Sequence, residues 1–453
     1  MKRWRWLLWA LILGAIGLIA LRALVGDVYA VRSGSMEPTL HGGQDSEWVL
    51  VRYGLGASLK RFDMVVFERP GEAAALVKRV LALPGETLQL SDGDLLINGQ
   101  LLPPEATRPD WVTLFDSRQQ PLTGWFEFRG TPLGPWLVSS GPLGNPMLVE
   151  PALDPGTPGR AARGESAALA AEQSTCRLEA LGLLPGDNAG LMFFDREATT
   201  GYLDASGRSV TQPVEANDLA LDLEVCLQAC ARQGELRLRL LERGDFFQIR
   251  LGLHAAGPIP VYLEREPGSN GRASETLATV ELPREALSGP WSQSGSAIEP
   301  AGSPPSGVVA GSGQTNKTAG FHRLRFSNRD NSLAFYVDGK LVLAANYEQN
   351  RAYPGLLPPN RHSVGPRVAF GGAGIAAEFR AVRLERDQHW LSSSVHGAYG
   401  TNARLTLGPG EYFVAGDNSF DSTDSRYFGP IPASAMLGRP FAVCWPPSHW
   451  RWL

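Results

Sequence analysis

The chain has 453 residues, of which 43% are apolar, and a formal charge of -4. That is enough length and apolar material for two or three domains with real cores, and it excludes a wholly disordered protein. Glycine (51) and proline (34) make up roughly a fifth of the residues, above the usual ~12% but short of low complexity, so many turns and short strands are expected and the fold class reads as mostly β. Lysine and arginine are scattered beyond the N-terminus, and the pI is about 6.0. No basic field for nucleic acid is visible, and no nucleic-acid partner is expected.

Lys2, Arg3 and Arg5, interleaved with Trp4 and Trp6, lead into an apolar run from Leu7 to Val25 broken only by Arg22. Its length suits one crossing of a bilayer. Cations before the run and few just after it place residues 1–25 as a cytoplasmic tip and transmembrane helix, with everything beyond on the extracytoplasmic side of the cell membrane. A cleavable leader competes with this reading, because Val28-Tyr29-Ala30 carries small residues at the spacing of a leader cleavage site.

Ser33-Gly34-Ser35-Met36-Glu37-Pro38-Thr39-Leu40 follows, a hydroxyl-bearing stretch beside the membrane. Trp48 to Val51 is a short apolar strand. Arg61-Phe62-Asp63-Met64-Val65-Val66-Phe67 reads as a strand entered from an Arg-x-Asp corner, and Leu76 to Leu83 is another apolar strand closed by the turn Pro84-Gly85-Glu86. Lys78 interrupts that last strand on the face it shares with Leu76 and Val80. To serve as a base near neutral pH, a lysine of reference pKa ~10.4 must shift down by roughly 3 units, or about 4 kcal/mol. Burial among aliphatic side chains disfavours the charged form and supplies shifts of that size. Arg79, on the opposite face, keeps its charge and needs water or a carboxylate.

Ser33-Gly34-Ser35-Met36-x-Pro38-Thr39-Leu40, then Arg61-x-Asp63 with Val65-Val66-Phe67, then Val77-Lys78-Arg79-Val80 with Leu83-Pro84-Gly85, resemble successive signature boxes of the bacterial type I signal peptidases. Those are Ser-Lys membrane proteases. The hairpin from Leu88 to Leu101 resembles the one that follows in that family. A last box resembles Gly416-Asp417-Asn418 and Ser422-x-Asp424-Ser425-Arg426, with Ser419 and Phe420 standing where the family usually has an Arg-Asp pair. The resemblance implies Ser35 as nucleophile and Lys78 as general base, with the oxyanion held by the Ser35 backbone N–H and the Ser33 hydroxyl. By the same resemblance Ser422 orients the Lys78 amine, Asp424 and Arg426 brace the loop, and Asp417 pairs with Arg79. Tyr29, Val31, Met36, Leu40, Leu76 and Val77 become the walls of a shallow apolar pocket for small side chains.

Between these boxes the pattern vanishes. Pro151 to Arg163 and Gly295 to Lys317 are rich in Gly, Pro and Ser, as loops are. Leu219 to Cys226, Glu235 to Leu241, Phe246 to Leu253, His322 to Phe326, Ser332 to Val337, Lys340 to Ala345 and Arg367 to Phe370 alternate apolar and polar residues in short runs. Such spacing suggests an inserted β-sandwich. Phe321 to Val342, with a tight turn at Asp338-Gly339, resembles the penultimate hairpin of concanavalin-like and laminin-G-type jelly rolls. Val368 to Gly372 and Glu378 to Leu384 resemble their closing strands. Many folds of that kind bind glycans and many are spacers; no carboxylate pair at glycosidase spacing is present. The expected domains are 1–25, a first catalytic part 26–104, the insert 105–407, and a second catalytic part 408–453.

The seven histidines form no ligand spacing, so no structural metal is expected, while scattered oxygens of the sandwich loops leave a calcium ion open; no cofactor is expected. Cys226 and Cys230, four apart in a strand-like run, would lie ~13 Å apart, too far to bridge without a bend, and inert buried thiols are the expectation for the cysteines. The functional reading is a membrane-bound serine endopeptidase acting on preproteins that bear signal peptides. A repressor-type Ser-Lys autoprotease, and a non-catalytic membrane-tethered glycan- or protein-binding module, are the alternatives.

Overall fold

A computed structural model describes residues 26–453 apart from 44–45, 55–58, 70, 72–73, 92, 103–108, 121, 123–124, 129–135, 139–174, 182, 184–189, 195–197, 199, 205, 213, 215, 217, 243–244, 255–256, 268–273, 290–319, 349–367, 392–398 and 402. The expected membrane segment and the two Gly, Pro and Ser-rich loops lie outside the described residues. Among the described residues no helix is long and apolar enough to cross a membrane.

Strand dominates, and the chain divides into two compact units. One takes residues up to Asp110, the short stretch Leu203–Arg208, and Gln388–Leu453; the other takes Trp111–Tyr202 and Ser209–Asp387. The first unit resumes at Gln388, ahead of the 408 boundary read from motifs. Residues 388–407 carry no motif, yet they bury Trp390 and Leu407 in one apolar cluster with Leu88, Leu90 and Phe413. Trp390 stacks on Phe62 at 5.8 Å. Leu405–Thr406 pairs with Thr87–Ser91.

In the first unit the main sheet runs Asp27–Ala30, Trp48–Tyr53, Met436–Trp445, Met64–Phe67, Leu76–Ala82, Glu411–Ala415, Ile431–Pro432. Strands from before and after the insert therefore alternate in one sheet, and neither chain segment could close its hydrogen-bond ladder without the other. Val49, Val51, Val66 and Val443 bury one side of it, and Val65, Phe67, Val80, Val414 and Ile431 another. The Arg61-x-Asp63 corner is braced at both ends. Arg61 donates to the Leu81 carbonyl and to Glu86, each at 2.6 Å, and Asp63 accepts from Arg439 at 2.7 Å.

The second unit is built on two long antiparallel strands, Leu219–Glu242 and Val368–Arg386. Each carries two of the short runs that read as separate strands in the sequence. The register shifts between Cys230 and Glu235, so an irregular stretch joins the runs without ending the strand. Gly374, at φ 66°, sits there; a Cβ on it would lie 2.3 Å from the Gln233 carbonyl oxygen. Leu219–Glu242 pairs with His322–Arg329 along its first part and with Asp245–His254 along its second. Leu221, Leu236, Ile249, Phe326, Phe370 and Phe379 fill one shared core. Asp338-Gly339 forms the expected tight turn, with φ of 49° and 76°, and Asp330-Asn331 forms a second of the same kind, with φ of 47° and 64°.

All four cysteines are free. Cys176 lies opposite Phe379 and Cys226 opposite Glu378 across the same long strand, so the two thiols project to opposite faces.

Candidate active site

Ser35 sits in a single 3-10 turn, Gly34–Met36. The returning loop holds this turn: Asn418 donates from Nδ2 to the Gly34 carbonyl at 3.0 Å and from its backbone N–H to the Ser35 carbonyl at 3.1 Å. The approach is so close that a Cβ on Gly416 would lie 2.3 Å from both the Ser35 carbonyl oxygen and Ser422 Oγ. Only glycine fits there.

Lys78 comes from the Leu76–Ala82 strand, between Met64–Phe67 and Glu411–Ala415. Leu76 and Val80, its neighbours on the same face, belong to one apolar cluster. Lys78 is 2% exposed, and its ammonium donates to Ser35 Oγ. Burial pushes its pKa down to about 8; the Asp424 carboxylate pulls the other way and the Arg426 guanidinium adds to the depression. Ser33 Oγ lies 3.2 Å from Ser35 Oγ, as a donor. The Ser35 oxygen therefore has an amine on one side and a hydroxyl on the other. Once Lys78 is neutral, its lone pair can accept the Ser35 proton along the line where the ammonium now donates.

The supporting residues form two buried ion pairs. Asp417 takes Arg79 in a fork, Nε at 2.7 Å and Nη2 at 2.5 Å. Asp424 takes Arg426 in another, Nε at 2.8 Å and Nη2 at 2.7 Å, with both side chains fully buried. Burial alone would raise the Asp424 pKa; the Arg426 guanidinium and the Gly416 N–H outweigh it and hold the carboxyl below its ordinary value. Ser422 departs from expectation. Among the described residues its hydroxyl donates to Asp424 Oδ2 at 2.7 Å and does not meet Lys78. That donation leaves the lone pairs of the Ser422 oxygen free, so it does not by itself bar a contact from the Lys78 ammonium.

Ser419, which stands where the resembled family carries a charge, fills a gap in this network. Its Oγ accepts from Arg426 Nη1 at 2.6 Å and from the Leu391 N–H at 2.7 Å. Gln388 donates to the Asp417 carbonyl, and the Thr39 hydroxyl donates to Asp417 Oδ2 at 2.5 Å. Thr39 and Asn418 were visible as motif members without assigned partners; Gln388 had no sequence signal.

The six candidate pocket residues separate. Met36 and Leu40 are buried to 1% and 0% exposure and pack with Val49, Val51, Val66 and Val443. Val31, 5% exposed, belongs to the same core. Tyr29 and Val77 pack against that cluster and stay partly exposed, as do Ala75 and Met64, which motif position had not singled out. Leu76 is half-buried against the neighbouring cluster.

A charged amine so deeply buried costs stability. With the Lys78 pKa at about 8 in the folded chain and ~10.4 unfolded, the charged form destabilises the fold by about 3 kcal/mol below pH 8. That cost fades as pH rises from 8 toward the unfolded value, because the unfolded chain then binds the extra proton. Lys78→Met is expected to melt above the wild type at pH 6, with the gap closing by pH 10. A gap independent of pH in calorimetry would contradict this.

The family profile described as signal peptidase, peptidase S26, matches residues 3–124 and 333–445, more than half of the chain, with the stretch between them unmatched. A mostly β peptidase split by an insert is the class that this match and the fold define. The chain belongs to the signal peptidase S26 family. Signal peptidase I of Bacillus licheniformis is 36% identical over 92 residues, 20% of this chain and 48% of that protein. Mitochondrial inner membrane protease subunit 2 of Saccharomyces cerevisiae is 43% identical over 47 residues, 10% of this chain and 27% of that protein. The chain thus spans half or less of the length of these two relatives. Among solved structures, a carbohydrate-binding module from Bacillus subtilis matches at 10% identity over 46% of this chain and 86% of that one, with a TM-score of 0.23, too low to assign a fold.

Proposed function

We propose that the chain is a membrane-anchored serine endopeptidase that removes N-terminal signal peptides from exported preproteins through a Ser35-Lys78 dyad. The observation that carries this reading is the buried Lys78 amine, with its pKa near 8, in hydrogen-bond contact with Ser35 Oγ. Neutral Lys78 takes the Ser35 proton as Oγ attacks the scissile carbonyl. The tetrahedral oxyanion is held by the Ser35 N–H and the Ser33 hydroxyl. Lys78 then passes its proton to the leaving amine, leaving an ester on Ser35. Water attacks that ester with Lys78 again as base, releasing the signal peptide as an acid and restoring the hydroxyl. Neither histidine nor a carboxylic acid takes part.

Tyr29, Val31, Met36, Leu40, Leu76 and Val77 are the candidate walls of the pocket, with Tyr29, Leu76 and Val77 partly exposed, and they suit the small residues that precede a signal-peptide cleavage site. A transmembrane segment at residues 7–25 would hold this pocket at the bilayer surface and raise the effective concentration of emerging preproteins. The inserted unit serves as a spacer or as a docking module.

The test is incubation of the detergent-solubilised chain with a preprotein carrying an Ala-x-Ala site, followed by mass spectrometry of the new N-terminus. Cleavage after the second alanine is expected. An intact preprotein together with a fixed self-cleavage product would favour an autoprotease instead. Ser33→Ala is expected to lower kcat by ~10²- to 10³-fold with little change in KM, because the lost donor acts on the oxyanion. An unchanged kcat would remove Ser33 from the oxyanion site.

A further inference from the structure

The chain on either side of the nucleophile is drawn together at Glu47, which forms a neck. The Val31 N–H donates to the Glu47 carbonyl at 2.8 Å, and the Glu47 N–H to the His41 carbonyl at 2.9 Å. At that neck lies the Glu47 carboxylate, 0% exposed, and its acceptor sites are filled. Oε2 accepts the His41 N–H at 3.0 Å and Arg451 Nη2 at 2.9 Å. Oε1 accepts Arg451 Nη1 at 2.6 Å and faces His449 Nδ1 at 3.0 Å.

The same Arg451 Nη2 also reaches the Thr39 carbonyl at 2.7 Å. Thr39 is thereby held at both ends, because its hydroxyl donates to Asp417, and Asp417 grips Arg79 in a two-point fork. Arg79 is the residue after Lys78. Polar contacts therefore run from the last strand of the chain, through Thr39 four residues beyond Ser35, to the strand that carries Lys78. Five heavy-atom contacts of 2.5 to 2.9 Å make it up, and most of its members are charged, which makes it stiffer than neutral hydrogen bonds would.

We propose that Arg451, Glu47 and Thr39 are positioning residues that set the separation of Ser35 from Lys78. None of them touches a reacting atom; they act by fixing the two segments that do. This inference rests on the dyad reading given above. It gives the buried Glu47 carboxylate and Arg451 a task in the reaction. Fixing of this kind matters because a displacement of about 1 Å between reacting groups costs on the order of 10²-fold in rate.

The test compares Thr39→Val, Arg451→Lys and Arg451→Ala with the wild type in the full-length detergent-solubilised protein, on a preprotein with an Ala-x-Ala site. Thr39→Val keeps the carbonyl and the shape and removes only the bond to Asp417. Expected are losses of about 10- to 100-fold in kcat for Thr39→Val and Arg451→Ala, KM within about two-fold, and melting temperatures above the assay temperature. Arg451→Lys, which keeps a charge on Glu47 and loses the fork, should recover part of the loss. If Thr39→Val and Arg451→Lys both keep the wild-type kcat, the proposal is overturned. It is equally overturned if every loss matches the fraction of unfolded protein seen by circular dichroism. A wild-type chain that cleaves nothing would instead remove the dyad reading, and this one with it.

Discussion

Ser35→Ala and Lys78→Ala are each expected to lower kcat on a preprotein by at least ~10⁴-fold, with the double variant no worse than either single one. Nucleophile and base act on one proton, so losing either leaves only what binding and the oxyanion donors supply. Lys78 is 2% exposed and donates to Ser35 Oγ, so no outside group can easily take its place. The pH profile carries the same information. Because Lys78 must be neutral to act, wild-type cleavage should rise with pH through about 8 and level off above it. A flat profile from pH 6 to 9, or cleavage retained in either alanine variant, would sink the dyad.

Asp424→Ala should be the most destabilising single change in the catalytic unit. It leaves the fully buried Arg426 guanidinium without its fork partner, and breaking a buried pair from one side typically costs about 3 to 5 kcal/mol. Ser422 and the Gly416 N–H lose their acceptor at the same time. Replacing both members, Asp424→Leu with Arg426→Leu, removes the stranded charge and should recover much of the loss. Equilibrium urea unfolding measures both. A shift below about 1 kcal/mol for Asp424→Ala would mean that Ser419 and the Leu391 carbonyl, which already accept from Arg426, suffice to hold the guanidinium. If the variant folds, its activity limb should move to lower pH, because the Asp424 charge is what opposes the depression of the Lys78 pKa.

Much of the candidate site was legible because its parts are short and local. The hydroxyls of Ser33 and Ser35 lie two residues apart, and one lysine interrupts an apolar strand. Partner choice was less legible. Ser422, placed beside Lys78 by the resemblance, donates to the Asp424 carboxylate, a partner that its spacing in the motif does not name. Motif position says nothing about depth: Met36 and Leu40 share a buried apolar cluster with Val49 and Val443. In the inserted unit, alternation marked most of the strands but could not show that two pairs of them are continuous. A strand that bends through a register shift breaks the hydrophobic period without breaking the backbone ladder.

By itself, the sequence determined the mostly β class, the order of catalytic boxes, the nucleophile and base candidates, and the presence of a large insert, because each is written in residue type and spacing along the chain. Only the tertiary structure decided which strands neighbour one another across the insert, where the catalytic unit resumes, and how deeply Lys78 is buried. It alone joined Arg451 to Thr39 and Thr39 to Asp417. Burial and pairing between residues hundreds of positions apart depend on the closed sheet, and the acidity of Lys78 depends on that burial.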